Sequence, residues 1–300
     1  MDLTVEQLRE LPVAALMAAL PDFLASRLSD PAARQQAAEA GRQHVVRWSD
    51  AEQQAIVEHL ATLGSEIALY EAHPLLRPFS RDWCQAILTD VQVEGAEHLD
   101  AALAKGPVVI VGNHLSYVDT QATDAALTRF GRADLADRLV TVAGPKVYSS
   151  AFRRFATGCL STLPVPQSGA VSDASVSPRE LARQAITSLK LARTLPERGQ
   201  VLQIYPEGTR TRTGRLGSFL KGVHRYLGVP GCTVVPMAHA GTDRIFPLDS
   251  EQLHPAEYRI VYGEPIAVDD TRQALAASWE AIAALLPEHL RPEADTPSLC

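Results

Sequence analysis

Two patterns of apolar residues divide the chain near residue 88. Before that point, leucine and other apolar side chains recur at helical spacing between residues 8 and 24 and again between 56 and 70. This spacing predicts a small helical N-terminal domain over residues 1–88. Pro74 and Pro78 interrupt the pattern, and because proline disfavours helix at the residue before it, the segment 73–78 is predicted to be a linker.

After residue 88, short runs of β-branched residues alternate with helical stretches. This alternation is typical of an α/β fold in which helices flank a mainly parallel mixed sheet. We therefore expect an α/β domain over residues 89–290, followed by a flexible tail at 291–300. The predicted strands are 91–94, 108–111, 139–142, 160–165, 201–205, 233–237 and 259–262.

Local signals mark two helices and one irregular strand in the second region. Ser177, Pro178 and Glu180 combine an N-cap, a first-turn proline and an acidic third position, which predicts a helix running to about Leu195. A final amphipathic helix is expected over 271–289. Pro236 interrupts the strand pattern at 233–237 and predicts a bulge or an edge position.

The bulk composition narrows the classes of function. The chain has 300 residues, of which 46% are hydrophobic, so it can bury a large core. Its 28 basic and 35 acidic residues give a formal net charge of -7, which argues against general affinity for nucleic acid. The four cysteines are scattered without paired spacing and predict neither a zinc site nor a disulfide framework.

The first residues, MDLTVEQLRE, lack the basic start of a signal peptide, and Pro12 and Pro21 interrupt the apolar stretch that follows. A membrane-spanning helix needs about 20 apolar residues. We therefore expect no signal peptide, no transmembrane helix and a cytoplasmic location, with the cysteines in a reducing compartment.

Titratable residues follow two of the predicted strands. His114 and Asp119 come after 108–111, and the loop PEGTRTRTG at 206–214 comes after 201–205. Ligands of open α/β sheets bind beyond the carboxyl ends of the strands. A histidine with a nearby carboxylate is the minimum for general-base catalysis. The spacing alone also fits a packed histidine and a helix-capping aspartate in a chain with nine histidines.

The loop at 206–214 opens a locally basic segment. Between residues 207 and 225 the chain has five basic residues and one acidic residue, Glu207. The planar guanidinium of arginine suits a phosphate because it donates two hydrogen bonds at once. The segment therefore predicts a local anion site, although a solvated charged loop is the alternative for Arg212, Arg215 and Arg225.

Four blocks of the sequence resemble the glycerolipid acyltransferase superfamily, which includes the glycerol-3-phosphate and lysophosphatidate acyltransferases. NHLSYVD (113–119) resembles the NHxxxxD box, and YPEGTRTRTG (205–214) resembles the signature FPEGTRSRSG. VAGPKVYSSAFRRFATGCLSTLPV (142–165) and VVPMAHAG (234–241) are similar to the middle and fourth blocks. The resemblance covers about 92–265.

The resemblance implies that residues 89–290 form a catalytic domain. His114 would deprotonate an acceptor hydroxyl and Asp119 would orient the histidine, so that the hydroxyl oxygen attacks an acyl thioester directly, without a metal. The thioester, acyl-ACP or acyl-CoA, would be a co-substrate, and no resident cofactor is expected. No GxSxG elbow occurs in the chain, so Ser116 is read as a loop or cap residue. The resemblance places substrate binding at Glu207, Gly208, Thr209, Arg210, Arg212 and Lys146.

One departure from the family pattern bears on the acceptor. Members that act on phosphorylated glycerol carry a basic residue after a strand such as 160–165, where this chain has Gln167 or Ser168. Lys146, Arg153 and Arg154 lie upstream as candidate substitutes.

The leading interpretation is transfer of a fatty acyl group to glycerol 3-phosphate or a lysophospholipid, a step of phospholipid biosynthesis. An acyltransferase for a non-phosphorylated acceptor, such as an amino-lipid or a secondary metabolite, is the first alternative. A non-catalytic lipid-binding protein is the second. Because the lipid partitions into bilayers, we also expect peripheral contact with a membrane surface, through 152–155 or the apolar stripe at 16–24.

Overall fold

An eight-stranded mixed sheet forms the centre of the fold in a computed structural model that describes residues 5–166 and 177–300. The strands follow the order β1-β7-β6-β2-β5-β3-β4, and β8 lies beside β6. Their bounds are β1 Leu88–Glu94, β2 Val108–Gly112, β3 Leu139–Ala143, β4 Ser161–Pro164, β5 Val201–Ile204, β6 Thr233–Ala240, β7 Ala256–Tyr262 and β8 Ile266–Ala267.

Five neighbouring strands, β6, β2, β5, β3 and β4, run parallel to one another. β7 and β8 run antiparallel to β6, and β1 runs parallel to β7. The predicted α/β fold with a mainly parallel mixed sheet is thus confirmed, and each predicted strand is present. β8 has two residues and left no recognisable pattern in the sequence. The carboxyl ends of β2 and β5 lie side by side, which brings the two segments of candidate chemistry to one edge.

The sheet separates two hydrophobic cores. Alternate residues of β2 point to opposite faces, so Ile110 joins one core while Val109 and Val111 join the other. Both faces of this strand are buried, which explains its unbroken apolar run. The first core also contains side chains from the helices before β1, and these helices therefore share their packing with the sheet.

Within the described residues, five helices precede β1. α5 begins at Leu76, inside the segment 73–78 that was predicted to be a linker, and it accommodates Pro78 in its first turn, where a missing N–H costs no hydrogen bond. Arg81 of α5 also donates two hydrogen bonds to the buried carboxylate of Asp124. The five helices are α1 Val5–Glu10, α2 Val13–Ala25, α3 Pro31–Val45, α4 Asp50–Thr62 and α5 Leu76–Cys84.

The later helices connect the strands. α10 begins as predicted, with the Ser177 side chain accepting a hydrogen bond from the Glu180 N–H, and it ends at Thr194. α12 ends four residues before the expected boundary because Pro287 forces Leu286 into an extended conformation. These helices are α6 Ala96–Leu103, α7 Asp119–Arg129, α8 Ala133–Arg138, α9 Ala151–Gly158, α10 Pro178–Thr194, α11 Thr242–Ile245 and α12 Thr271–Leu285.

The end of the segment expected to be a flexible tail pairs with the backbone near Phe219. Phe219 N donates to Ser298 O at 2.9 Å, and Cys300 N donates to Phe219 O at 2.9 Å. Leu299 packs against the second core. Backbone pairing of this kind anchors the end of the chain to the loop that follows β5.

Pro236 lies on a central strand, so the edge position considered for it is wrong. The register with β7 ends at Met237 and the register with β8 resumes at Val234. Three residues, 263–265, therefore face two residues of β6, which is the irregularity that the proline predicted. The carbonyl oxygen of Pro236 accepts a hydrogen bond from Gly263 N at 2.8 Å.

Both segments considered for membrane contact take part in core packing. Phe155 is buried, and Arg154 donates to the carbonyl oxygen of Leu60 at 3.1 Å, because α9 packs against α4. Leu24 is also buried, while Leu16 packs against the same core. Within the described part of the chain, no helix combines the length and apolar character needed to cross a membrane.

Gly241, which follows β6, provides a test of the fold. Its φ is +107°, and an added Cβ would overlap the carbonyl oxygen of Glu257. Gly131 also has a positive φ, but a Cβ there would meet nothing within 4 Å. We expect Gly131→Ala to cost about 1–2 kcal/mol of unfolding free energy. Gly241→Ala should cost clearly more in urea denaturation, and equal losses would contradict this packing.

Candidate active site

His114 and Asp119 form a hydrogen-bonded pair at the carboxyl end of β2. His114 follows the strand by two residues, and Asp119 opens α7. The distance from His114 Nδ1 to Asp119 Oδ2 is 2.8 Å. Asp119 is 1% exposed and the His114 side chain 17% exposed. Because a carboxylate only accepts, Nδ1 carries the proton, and the neutral ring keeps its lone pair on Nε2.

The Asp119 carboxylate also organises the backbone between the two residues. It accepts the N–H of Leu115 at 2.9 Å and the N–H of Ser116 at 3.0 Å. Burial favours the neutral acid, but the nearby His239 and His114 outweigh it and hold the pKa of Asp119 below its usual range. The carboxylate is therefore charged at neutral pH and fixes both the loop and the histidine ring.

Ser116 has a structural role in the same loop. Its side chain is fully buried, and its hydroxyl donates to the carbonyl oxygen of Phe246 at 2.9 Å. A hydroxyl held in this way points into the protein and away from solvent. Reading Ser116 as a loop residue agrees with this contact.

Glu207 joins the second motif to the first. Its Oε2 accepts the backbone N–H of His114 at 2.5 Å, and its Oε1 accepts the N–H of Gly217 at 2.8 Å. Thr211 N also donates to His114 O at 2.8 Å. Burial raises the pKa of Glu207 to about 7, although the two backbone hydrogen bonds oppose the shift. Glu207 therefore holds the backbone at His114 to the backbone at Gly217.

The ring of Tyr205 packs against the ring of His114. The two rings stack with centroids 5.0 Å apart and an interplanar angle of 20°. Burial raises the pKa of the Tyr205 phenol, so this side chain stays neutral. The stacking limits the His114 ring to one plane.

Two arginines meet at the ring of Tyr117, inside the His114–Asp119 loop. The Arg210 guanidinium carbon is 4.4 Å from the ring centroid and that of Arg153 is 4.9 Å away. None of the ion pairs formed within residues 5–166 and 177–300 involves either arginine. Arg210 Nη2 donates to Leu248 O at 3.2 Å, whereas its Nη1 is buried with no hydrogen-bond partner in the described residues.

The other sequence-predicted residues lie around this centre. Gly208 has a φ of +69°, a conformation that favours glycine, and an added Cβ would displace the exposed side chain of Leu220. Thr209 and Arg212 are exposed on the same loop. Lys146 is exposed on the turn that follows β3, at the same edge of the sheet. Gln167 and Ser168, where the usual basic residue was sought, lie outside the described residues.

Sequence reasoning missed the pairing of Asn113 with His239. Asn113 Nδ2 donates to His239 O at 3.0 Å, and His239 N donates to Asn113 Oδ1 at 2.9 Å. Both residues fall within blocks that resemble the family, but they are 126 positions apart, and the sequence gave no signal of their contact. In the described part of the chain, no group of three His, Cys, Asp or Glu side chains is placed to hold a metal ion.

The histidine–aspartate pair and the arginine-bearing loop thus meet at the carboxyl edge of a mainly parallel sheet. A family model described as Acyltransferase matches residues 90–240, which is half of the chain. The chain belongs to this acyltransferase family, and the resemblance found in the sequence is thereby confirmed.

Curated relatives share the central part of the chain. A chloroplastic 1-acyl-sn-glycerol-3-phosphate acyltransferase, LPAT1 of Arabidopsis thaliana, is 29% identical over 59% of this chain and 43% of its own length. A 1-acyl-sn-glycerol-3-phosphate acyltransferase of Cocos nucifera is 36% identical over 38% of this chain and 37% of its own length. The chain thus spans less than half the length of these relatives. The crystal structure of the 1-acyl-sn-glycerophosphate (LPA) acyltransferase PlsC from Thermotoga maritima has a TM-score of 0.48 and 14% identity, with 91% of each chain covered.

The Glu207 carboxyl provides a pH test of this geometry. Its pKa of about 7 lies above the ordinary value of 4.5, so the folded state holds a proton that the unfolded state releases between these values. The contribution of Glu207 is therefore present at low pH and lost as the pH rises toward 7. The difference in unfolding free energy between the unaltered protein and Glu207→Gln should fall from pH 4.5 to 7.5 in urea titrations. A difference independent of pH would contradict the assigned environment.

Proposed function

We propose that this protein transfers a fatty acyl group from acyl-ACP or acyl-CoA to the free hydroxyl of a phosphorylated glycerolipid, with 1-acyl-sn-glycerol 3-phosphate as the leading acceptor. The observation that carries the proposal is the hydrogen bond between His114 Nδ1 and Asp119 Oδ2, which leaves Nε2 as a base. The relatives, named as 1-acyl-sn-glycerol-3-phosphate acyltransferases, support this acceptor class.

The chemistry requires one base and no covalent acyl-enzyme. His114 Nε2 takes the proton from the acceptor hydroxyl, and the oxygen forms a bond to the thioester carbonyl carbon. The carbon–sulfur bond then breaks, and the thiolate takes the proton back from the imidazolium. Asp119 stabilises the imidazolium while it exists. Because thioesters already carry a good leaving group, a base with close positioning supplies much of the acceleration.

The acceptor phosphate is proposed to lie beside Tyr117, between Arg210 and Arg153. Both guanidiniums lie against this ring, and the buried Nη1 of Arg210 donates no hydrogen bond within the described residues. A cavity of about 230 Å³ adjoins Arg153 and is lined by Ser149, Ser150 and the ion pair of Arg27 with Glu251. Arg153 would thereby supply, from the start of α9, the second cation that other members carry after a strand like β4.

The acyl chain is proposed to reach the site past two leucines beside the Arg210 loop. Leu220 lies over Gly208 and is 43% exposed, while Leu248, whose carbonyl receives Arg210, is 39% exposed. Exposed apolar side chains next to cationic ones are suited to the surface of a bilayer. We therefore propose Leu220 and Leu248, in place of 152–155 and 16–24, as the region of peripheral membrane contact.

The first prediction for this function concerns the base. His114→Ala should lower kcat by about 10²–10⁴-fold, the usual contribution of a general base, and Asp119→Asn by a smaller factor. The measurement is thiol release from palmitoyl-CoA with lysophosphatidate as acceptor. His289→Ala alters an exposed histidine and serves as the control. A folded His114→Ala protein with ordinary turnover would rule out the mechanism.

The second prediction concerns the phosphate. Each charge-assisted hydrogen bond contributes roughly 1.5–3 kcal/mol, so its loss should weaken acceptor binding about 10- to 100-fold. Arg210→Ala and Arg153→Ala should each raise KM for lysophosphatidate by this order and leave KM for the thioester nearly unchanged. Arg183→Ala removes an exposed arginine of α10 and is the matched control.

A panel of acceptors distinguishes the alternatives. If the unaltered protein acylates neutral alcohols and ignores both lysophosphatidate and glycerol 3-phosphate at millimolar concentration, the phosphorylated acceptor is wrong and the non-phosphorylated one takes its place. If no acceptor releases thiol while acyl thioester still binds, the non-catalytic lipid-binding alternative stands.

A further inference from the structure

Three hydrogen bonds clamp Asn113, the residue before His114, to His239 of β6. The Asn113 side chain makes two of them with the His239 backbone, as donor at 3.0 Å and acceptor at 2.9 Å. The His239 ring makes the third, through Nε2 to the Asn113 carbonyl oxygen. Each residue is 1% exposed, so none of these bonds competes with water.

The clamp begins where ordinary strand pairing stops. Backbone pairing of β2 with β6 ends at Gly112 and Met237. Asn113 lies one residue beyond Gly112, and His239 lies two residues beyond Met237. At this point the side-chain amide of Asn113, instead of a backbone group, forms hydrogen bonds with the N–H and C=O of His239. The chain that leads into His114 is therefore held to β6 after it has left the sheet.

The geometry also fixes the proton on the His239 ring. A carbonyl oxygen can only accept, so Nε2 is the nitrogen that bears hydrogen. Nδ1 is buried and has no hydrogen-bond partner in the described residues. An apolar side chain would avoid the cost of this unpartnered nitrogen, which is about 1–3 kcal/mol. The presence of histidine therefore calls for a role that its Nε2–H performs.

The same N–H lies next to the carboxylate of the active-site pair. His239 Nε2 is 3.7 Å from Asp119 Oδ2, the oxygen that also receives His114 Nδ1. Two imidazole rings from different elements of the fold thus lie next to one buried carboxylate oxygen. Other titratable groups around them are Glu207, which receives His114 N, Tyr205, which stacks on His114, and Tyr258, whose ring is 6.0 Å from that of His239.

From this arrangement we infer that His239 is a positioning residue of the acyl-transfer site, which holds the peptide before His114 in place and limits how strongly Asp119 attracts a proton to His114. The inference rests on the proposed function, in which His114 is the base. The electrostatic part follows because the partial positive charge of the His239 N–H, which donates to the Asn113 carbonyl, lies close to the Asp119 carboxylate and offsets part of the attraction of Asp119 for a proton on His114.

Two variants separate the mechanical and electrostatic parts. His239→Leu removes the N–H, so we expect kcat to fall about 10-fold or more with little change in the acceptor KM. The acidic limb of kcat/KM should move to higher pH, because Asp119 then acts on His114 alone. His239→Gln can still donate to the Asn113 carbonyl and should recover most of kcat, with a smaller displacement of the limb.

Val234→Ala is the matched control, since it truncates a buried residue of β6 that faces the opposite core. It should lower stability and leave the acidic limb in place. If His239→Leu lowers kcat without moving the limb, the electrostatic part is wrong. If both His239 variants are folded and match the unaltered protein in kcat and in pH profile, the whole inference is overturned.

An NMR titration of the His114 ring distinguishes failure of this inference from failure of the proposed function. In His239→Gln, or in His239→Leu if it folds, the midpoint should rise, by about 0.5 pH unit or more for leucine. This readout does not need turnover. An unaltered protein that transfers no acyl group would refute the proposed function while the titration still tested the coupling, and an unmoved midpoint in active enzyme would refute only the coupling.

Discussion

The buried carboxylate of Asp119 is the group on which the arrangement of the site depends. Removing a charge from water is costly unless hydrogen bonds and opposite charge compensate for it. Here two backbone N–H groups and the His114 ring supply that compensation within five residues of chain. The loop between β2 and α7 can satisfy the carboxylate in one shape, and that shape is the one that presents the free edge of the histidine.

Neighbouring strands extend this local order to the rest of the sheet edge. Because β5 pairs with β2, the segment after β5 leaves the sheet beside His114, and Glu207 reaches the His114 backbone across 93 residues of sequence. Because β6 pairs with β2 on the other side, His239 reaches Asn113. The backbone around the histidine is thus held from both flanking strands, by Glu207 on one side and by His239 on the other.

Local patterns predicted much of this structure. The β-branched runs marked the inner strands because both faces of these strands are buried. Ser177 marked the start of α10 because capping is a property of adjacent residues. The pairing of His114 with Asp119 was also accessible, since it spans one loop. The first turn of α5 was read as part of a linker because the burial that stabilises this turn comes from distant partners. The clamp by His239 and the meeting of Arg153 with Tyr117 are tertiary contacts, which residue spacing cannot reveal.

The shared direction of β6, β2, β5, β3 and β4 bears on how this protein can vary. These five parallel strands send their following segments, including 144–150, 205–217 and 241–255, toward one edge, whereas the turns that enter them, such as 104–107 and 228–232, lie at the other. The segments at the first edge contain both buried and exposed residues: Tyr148, Leu216 and Ile245 belong to the two cores, whereas Lys146 and Arg212 are exposed. Exposure within each segment, rather than the edge on which the segment lies, therefore separates the positions that can diversify from those that must be kept.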